Sequence, residues 1–204
     1  MQTDGLGPLS VELENELKKL EEAFTVDQQK LKEISQRFQE ELTEGLEDQS
    51  RCLIPSLEGA TIPMNVTWVL GWPTGHEYGE YLTVDLGGTK LRVCWVTLSE
   101  NHGETNMMQD TYVLPDELKT GDAEPFWSFI AESIGRFIAE HELEGSEDDP
   151  LPLGFTFSYP ATQDYIDHGV LQTWTKGFDV KGVEGHDVAG QLRDAMAKRV
   201  RQLW

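Results

Sequence analysis

The sequence predicts an α/β domain, a mixed sheet that opens on a hairpin and has helices packed on it. Three observations carry this reading. First, apolar residues alternate over Tyr81–Leu86, with Leu82, Val84 and Leu86 on one face, and Leu91–Leu98 is rich in Val, Leu and Trp; the two runs flank Gly87 and Gly88, as strands flank a tight turn. The glycines suit such a turn because glycine tolerates positive φ. Second, Phe126, Ile130, Ile134, Phe137 and Ile138 form one helical stripe, with Pro125 in the first turn. Third, a strand over Leu153–Phe157 follows that helix. With Thr111–Leu114 as a third strand and Asp187–Val200 as a closing helix (Val188, Leu192 and Met196 at spacing four), the order is β-β-β-α-β-α.

Two helices precede the sheet. Leu13, Leu17, Leu20 and Phe24 make the stripe of the first, and Leu31, Ile34, Phe38 and Leu42 that of the second. Thr25 with Gln28 three residues on reads as a capping box for the second. Their many acidic residues read as a solvated face. Residues 1–10 are expected as a flexible arm, 11–63 as a helical extension that ends in a loop from residue 45, and 64–204 as the sheet domain. Gly145–Pro150 reads as an exposed acidic turn, and Val170–Trp174 as a short extended piece.

Composition narrows the function. Hydrophobic residues are 38% of 204, with six Trp and eight Phe, so a sizeable core can form. A formal net charge of −21 repels polyphosphate backbones and anionic lipid, which argues against nucleic acid and membrane surfaces as partners. It does not exclude ATP, because backbone amides hold phosphate without side-chain charge. Two cysteines, Cys52 and Cys94, form no disulfide framework or metal spacing, and Cys94 reads as core. The first ten residues lack a signal-peptide pattern and no run of about 18 apolar residues occurs, so a soluble cytoplasmic protein is the expectation.

Chemistry concentrates in two segments. In the first, Asp85-Leu86-Gly87-Gly88-Thr89-Lys90 is followed by Leu91 and Arg92. Glycines allow a ligand close to the backbone, successive N–H groups can converge on anionic oxygens, and Thr89 adds a hydroxyl. Asp85 ends a strand at the same rim, where it can hold the water shell of Mg²⁺, while Lys90 or Arg92 offsets phosphate charge. An ordinary Gly-Gly hairpin is the competing reading. The stretch Tyr81–Val93 resembles the first phosphate motif of sugar kinases with the actin-like, ribonuclease H-like fold. The hexokinase version usually has Asn where this chain has Lys90; a Lys there is familiar from bacterial-type sugar kinases.

The second segment runs from Leu153 to Phe178. A strand delivers Ser158 and Pro160 to a rim, and an extended piece delivers Thr175 and Lys176. An uncharged sugar needs mixed donors and acceptors on fixed elements: Ser158 and Thr175 donate and accept, and Lys176 donates. Trp174 and Phe157 read more simply as core. The whole string resembles the glucose-binding segment of eukaryotic hexokinases. The helix pair at 10–46, the run from Trp68 to Thr89, the helix around Phe126 and the run Val183–Val188 resemble fungal hexokinases in the same order.

That resemblance implies a ribonuclease H-like (actin-like ATPase) small domain with an N-terminal helical extension. It further implies ATP-dependent phosphorylation of glucose or a related hexose at the 6-hydroxyl, at the entry to glycolysis, with Mg²⁺. Ser158, Pro160, Thr175 and Lys176 would line the hexose; Asp85, Leu86, Gly87, Gly88, Thr89, Lys90 and Arg92 would line the nucleotide, with Asp85 toward the metal. The family's base is an Asp in an Asn-Asp pair, and no such pair occurs in this sequence. Asp164 and Asp167 read as turn carboxylates and His186 as a cap-region residue, so no residue here is assigned as catalytic. The chain alone is therefore expected to be weak or inactive, a non-catalytic hexose-binding or regulatory protein being the alternative. An unpaired edge beside Leu153–Phe157 is expected to favour dimerisation or aggregation.

Overall fold

A computed structural model describes residues 10–47, 62, 64–65, 67–99, 104–145 and 150–202, with backbone only for 200–202. The chain divides into two units, Met1–Met64 and Asn65–Trp204. The expected N-terminal arm, most of the loop after residue 47, Cys52 and the acidic run at 146–149 lie outside the described residues.

In the first unit, helix α1 spans Val11–Phe24 and α2 spans Gln28–Glu47. Ser10 caps α1 by accepting from the Leu13 N–H. The cap of α2 is Asp27, whose Oδ1 accepts from the Lys30 N–H at 2.7 Å, and not Thr25. The Thr25 hydroxyl instead donates back to the Glu21 carbonyl at 2.6 Å, which closes α1. A carboxylate two residues closer to the helix outcompetes the hydroxyl for the free N–H groups and matches the helix dipole. The apolar stripes of both helices stay half-exposed within the unit.

The second unit holds the sheet. Strand β1 (Gly79–Leu86) pairs antiparallel with β2 (Lys90–Leu98), Leu86 opposite Leu91. β2 pairs antiparallel with β3 (Thr105–Val113), which starts earlier than the expected Thr111. A one-turn helix α3 (Asp116–Lys119) leads to α4 (Ala123–Glu140). Strand β4 (Leu153–Phe157) then returns parallel to β1, giving the order β3-β2-β1-β4. The extended piece at 170–174 resolves into a two-strand ribbon, β5 (Ala161–Thr162) against β6 (Val170–Leu171), before α5 (Val188–Gln202).

Burial follows the predicted periods. Leu82, Val84 and Leu86 of β1 and Leu91, Val93 and Trp95 of β2 face the core, where Phe126, Trp127, Ile130, Ile134 and Phe137 of α4 meet them. Ile138 is only partly buried, and Cys94 is 8% exposed, as expected of core. The Trp127 indole donates to Gln191 of α5 at 2.8 Å, which ties the two helices across the apolar layer.

Neither Gly87 nor Gly88 has positive φ, so the hairpin does not use the conformational freedom expected of it. A Cβ on Gly88 would find only the Lys176 side chain, at 3.6 Å. The residue that caps α5 is Asp187, not His186. Its carboxylate accepts from Ala189 and Gly190 N–H, both at 3.1 Å, and from Gly169 N–H at 3.0 Å. One side chain thus starts α5 and anchors the turn ahead of β6. Asp187→Ala should cost about 1–2 kcal/mol, read as a lower urea midpoint with an unchanged slope.

Candidate functional site

The parallel register sets Leu86 opposite Phe157, so β1 and β4 end together. The turn after β1 and the Ser158 loop after β4 therefore emerge at one rim. On the polar face, Asp85 lies opposite Arg92 on one side and Thr156 on the other. The Thr156 hydroxyl donates to Asp85 Oδ1 at 3.0 Å, and Arg92 reaches Oδ2 at 3.2 Å. Asp85 is thus held by both cross-strand neighbours while its side chain stays 36% exposed.

The turn is only partly free to bind. The Gly87 N–H donates to the Lys90 carbonyl at 3.0 Å, which closes the hairpin and removes that amide as a phosphate donor. Leu86 is fully buried, so it can offer a ligand its backbone alone. Thr89 and Lys90 are exposed and, among the described residues, their side chains make no hydrogen bond or ion pair. The structure thus leaves the Gly88 and Thr89 amides, the Thr89 hydroxyl and the Lys90 ammonium at the turn.

The segment from Leu153 to Phe178 stands on aromatic rings. Tyr159 contacts Phe157 (4.9 Å between centroids), Trp174 (4.7 Å) and Phe178 (5.3 Å), and Trp174 stacks on Phe178 at 5.3 Å. Trp174 is 9% exposed, with its indole N–H on the Val180 carbonyl, so it is core as expected. Glu184 holds the Trp174 N–H at 2.5 Å. Between these rings Thr175–Phe178 turns tightly. The Phe178 N–H reaches the Thr175 carbonyl, and φ is +57° at Lys176 and +80° at Gly177.

That turn aims Lys176 back along the segment. Its ammonium donates to the Ser158 carbonyl at 2.6 Å and lies 5.0 Å from the Tyr159 ring centroid, while its stem covers Gly88. Ser158, Lys176 and Gly88 therefore form one continuous surface. The side-chain hydroxyls of Ser158 and Thr175 are exposed and make no hydrogen bond among the described residues. Pro160 is half-buried, and its carbonyl accepts from the Gln172 N–H beside the β5–β6 ribbon.

Asp164, Asp167 and His186 are structural here. Asp164 lies 3.7 Å from His168, Asp167 pairs with Arg193 at 3.3 Å, and His186 bonds the Glu184 carbonyl. Three residues escaped the sequence reading: Thr156, Tyr159 and Glu184. The first two carried a signal. Thr156 is two residues before Ser158 on an extended strand, and Phe155, Phe157 and Tyr159 alternate as one apolar row. Among the described residues, no group of three or more His, Cys, Asp or Glu side chains could cage a metal, and no helix is long and apolar enough to cross a membrane.

A mixed four-stranded sheet, hairpin first, with helices on it and a Gly-rich turn at its rim is the small domain of the ribonuclease H-like, actin-like class. Within that class the chain belongs to the hexokinase family, whose model matches residues 16–203. The hexokinase of Emericella nidulans is 54% identical over 183 residues, 90% of this chain and 35% of that protein. Hexokinase-1 of Saccharomyces cerevisiae is 47% identical over 189 residues, 92% of this chain and 37% of that protein. A hexokinase from Schistosoma mansoni solved with glucose superposes with TM-score 0.68 at 33% identity, over 93% of this chain and 40% of that one. The chain spans about a third of the length of these curated relatives.

Two outcomes check the geometry. Gly88→Ala should leave stability within about 0.5 kcal/mol, because its Cβ lands in ordinary contact. Gly177→Ala should cost about 1 kcal/mol or more through its positive φ. Matched urea melts separate the two.

Burial pushes the Tyr159 phenol up to about 12. Because the folded value lies above the ordinary 10.0, this contribution to stability is complete below about pH 10 and is lost as pH rises toward 12. Tyr159→Phe should flatten part of that loss in urea midpoints measured across the same range.

Proposed function

We propose that this chain carries the hexose-gripping and phosphate-cradling part of an ATP-dependent hexose 6-phosphotransferase acting in the cytoplasm at the entry to glycolysis. The observation that supports it most directly is the Lys176 side chain, whose ammonium donates to the Ser158 carbonyl and whose stem lies 3.6 Å from where a Cβ on Gly88 would stand. The two motifs read separately from sequence thereby share one surface. A pyranose at the Ser158 and Thr175 hydroxyls would lie beside the turn, where an outgoing sugar hydroxyl and an incoming phosphoryl group could meet in line.

The residues present fit a nucleotide. Nothing but the Lys176 stem approaches the space a Gly88 side chain would fill, and two amides, a hydroxyl and an ammonium remain without partners among the described residues. One rim carboxylate suits Mg²⁺ held mainly by phosphate oxygens and water, which needs no protein cage. ATP with Mg²⁺ would supply the phosphoryl group. Gly88, Thr89 and Lys90 would orient its oxygens, Asp85 would face the metal's water shell, and Ser158, Thr175 and Lys176 would fix the hexose.

In this reading the 204 residues bind hexose with little turnover, because they contain no Asn-Asp pair to take the hydroxyl proton. The open side of β4, an edge strand among the described residues, would favour self-association of the isolated chain.

Thermal melts with glucose test the sugar reading. At glucose near 20 times a millimolar Kd, stabilisation should reach about 1.8 kcal/mol. Sorbitol at equal concentration corrects for the osmolyte effect. Lys176→Met and Ser158→Ala should each abolish the excess over sorbitol. No excess in the parent chain overturns the reading, and a coupled assay of hexose 6-phosphate giving more than about 1 turnover per second overturns the low-turnover part.

A further inference from the structure

The turn and the hexose segment are joined by one side chain that sequence motifs do not assign, Tyr159. We propose that Tyr159 is a positioning residue: its hydroxyl pins the Gly87–Gly88 peptide so that the Gly88 N–H faces the phosphate, and its ring relays hexose occupancy at Lys176 to that peptide. The inference rests on the reading above and deepens it.

The peptide unit is rigid and trans, so its C=O and N–H point in opposite directions. The Tyr159 hydroxyl donates to the Gly87 carbonyl at 3.4 Å. Holding that oxygen fixes the direction of the Gly88 N–H on the same peptide. The Gly88 amide is one of two left free at the turn, since the Gly87 amide closes the hairpin. With no side chain at 87 or 88, neither residue braces this peptide with a side chain of its own.

Tyr159 can act as a strut because it cannot swing. It is 6% exposed and wedged among Phe157, Trp174 and Phe178. A phenol is protonated at neutral pH in any case, and burial pushes it further that way, so the hydroxyl is a donor there.

The other end of the strut is on the sugar side. The Lys176 ammonium lies over the ring and donates to the Ser158 carbonyl, which belongs to the peptide joining Ser158 to Tyr159. A hexose hydroxyl that takes a share of this ammonium competes with both contacts. The change falls on the Tyr159 peptide and ring, and from there on the Gly87 carbonyl. At 3.4 Å the hydroxyl contact is long and has room to shorten.

The test is amide NMR of the ¹⁵N-labelled 204-residue chain titrated with glucose, comparing parent and Tyr159→Phe, which keeps the ring and removes only the hydroxyl. In the parent, glucose should shift the Thr175 and Gly177 amides directly and the Gly88 amide through the strut. In Tyr159→Phe the Thr175 and Gly177 responses should persist, while that of Gly88 is lost. A merely structural role for the hydroxyl would leave the Gly88 response in proportion to that of Gly177. An equal Gly88 response in both chains, or none in the parent while Gly177 responds, overturns the strut alone. If Thr175 and Gly177 do not respond in the parent, the hexose reading falls as well.

Discussion

The parallel pairing of β1 with β4 is the constraint on which the site depends. Five register pairs, Leu82 with Leu153 through Leu86 with Phe157, make the two strands end together. A strand rises about 3.3 Å per residue. An antiparallel β4 would therefore deliver Ser158 roughly 16 Å from the Gly-rich turn. The apolar face locks the register, because Val84 and Leu86 sit opposite Phe155 and Phe157, which pack against the same core. A one-residue slip would turn Thr156 toward the core and break the line Arg92–Asp85–Thr156 on the polar face. Core packing and rim chemistry are thus one specification, written on alternate residues of the same strands.

The segment after β4, up to Phe178, has no long strand or helix to stiffen it, and aromatic packing takes that role. Phe126 of α4 meets Trp174 and Phe178 edge-on at 5.9 and 6.3 Å, and these rings flank the tight turn at Thr175–Phe178. Lys176 pays for its left-handed backbone, which disfavours a residue with a Cβ by about 1–2 kcal/mol. Strain of that size persists where surrounding structure over-determines it. Here the stacked Trp174 and Phe178 do so, with Glu184 fixing the Trp174 amide. The result is a lysine returned along its own segment rather than extended into water.

Long periodic elements were legible in the sequence: both N-terminal helices, β1, β2, β4, the α4 stripe and α5. What was not legible had no period to read. β5 and β6 are two residues each, α3 is one turn, and residues 105–109 of β3 are exposed on an edge strand, with Met107 and Met108 adjacent rather than alternating, so no period marks them. The cap of α2 was misread by two residues because Thr25 precedes an aspartate, Asp27, that binds the free N–H groups better. At the candidate site, residue types singled out Ser158, Thr175, Lys176 and the glycines, which the fold brings to one rim. Their assembly did not follow from type: that the Gly87 amide closes the hairpin, or that Tyr159 reaches the turn, depends on a parallel register that brings together residues 72 apart in sequence.

That assembly also decides how a chain of charge −21 could favour an anion. Distant carboxylates are screened within about 8 Å at physiological salt, so the balance is local. Arg92 is already engaged by Asp85, and Lys176 is turned onto the Ser158 carbonyl. Lys90 is left as the cation of the turn without a carboxylate partner among the described residues. It stands where hexokinases usually carry Asn. In the proposed reading, phosphate affinity would rest on one flexible ammonium and on two amide dipoles whose direction is set by the backbone. Amides add no charge that must be desolvated and no side chain that must be ordered. Their contribution depends on aim alone, which makes the orientation of a single peptide, Gly87–Gly88, the most sensitive feature of the rim.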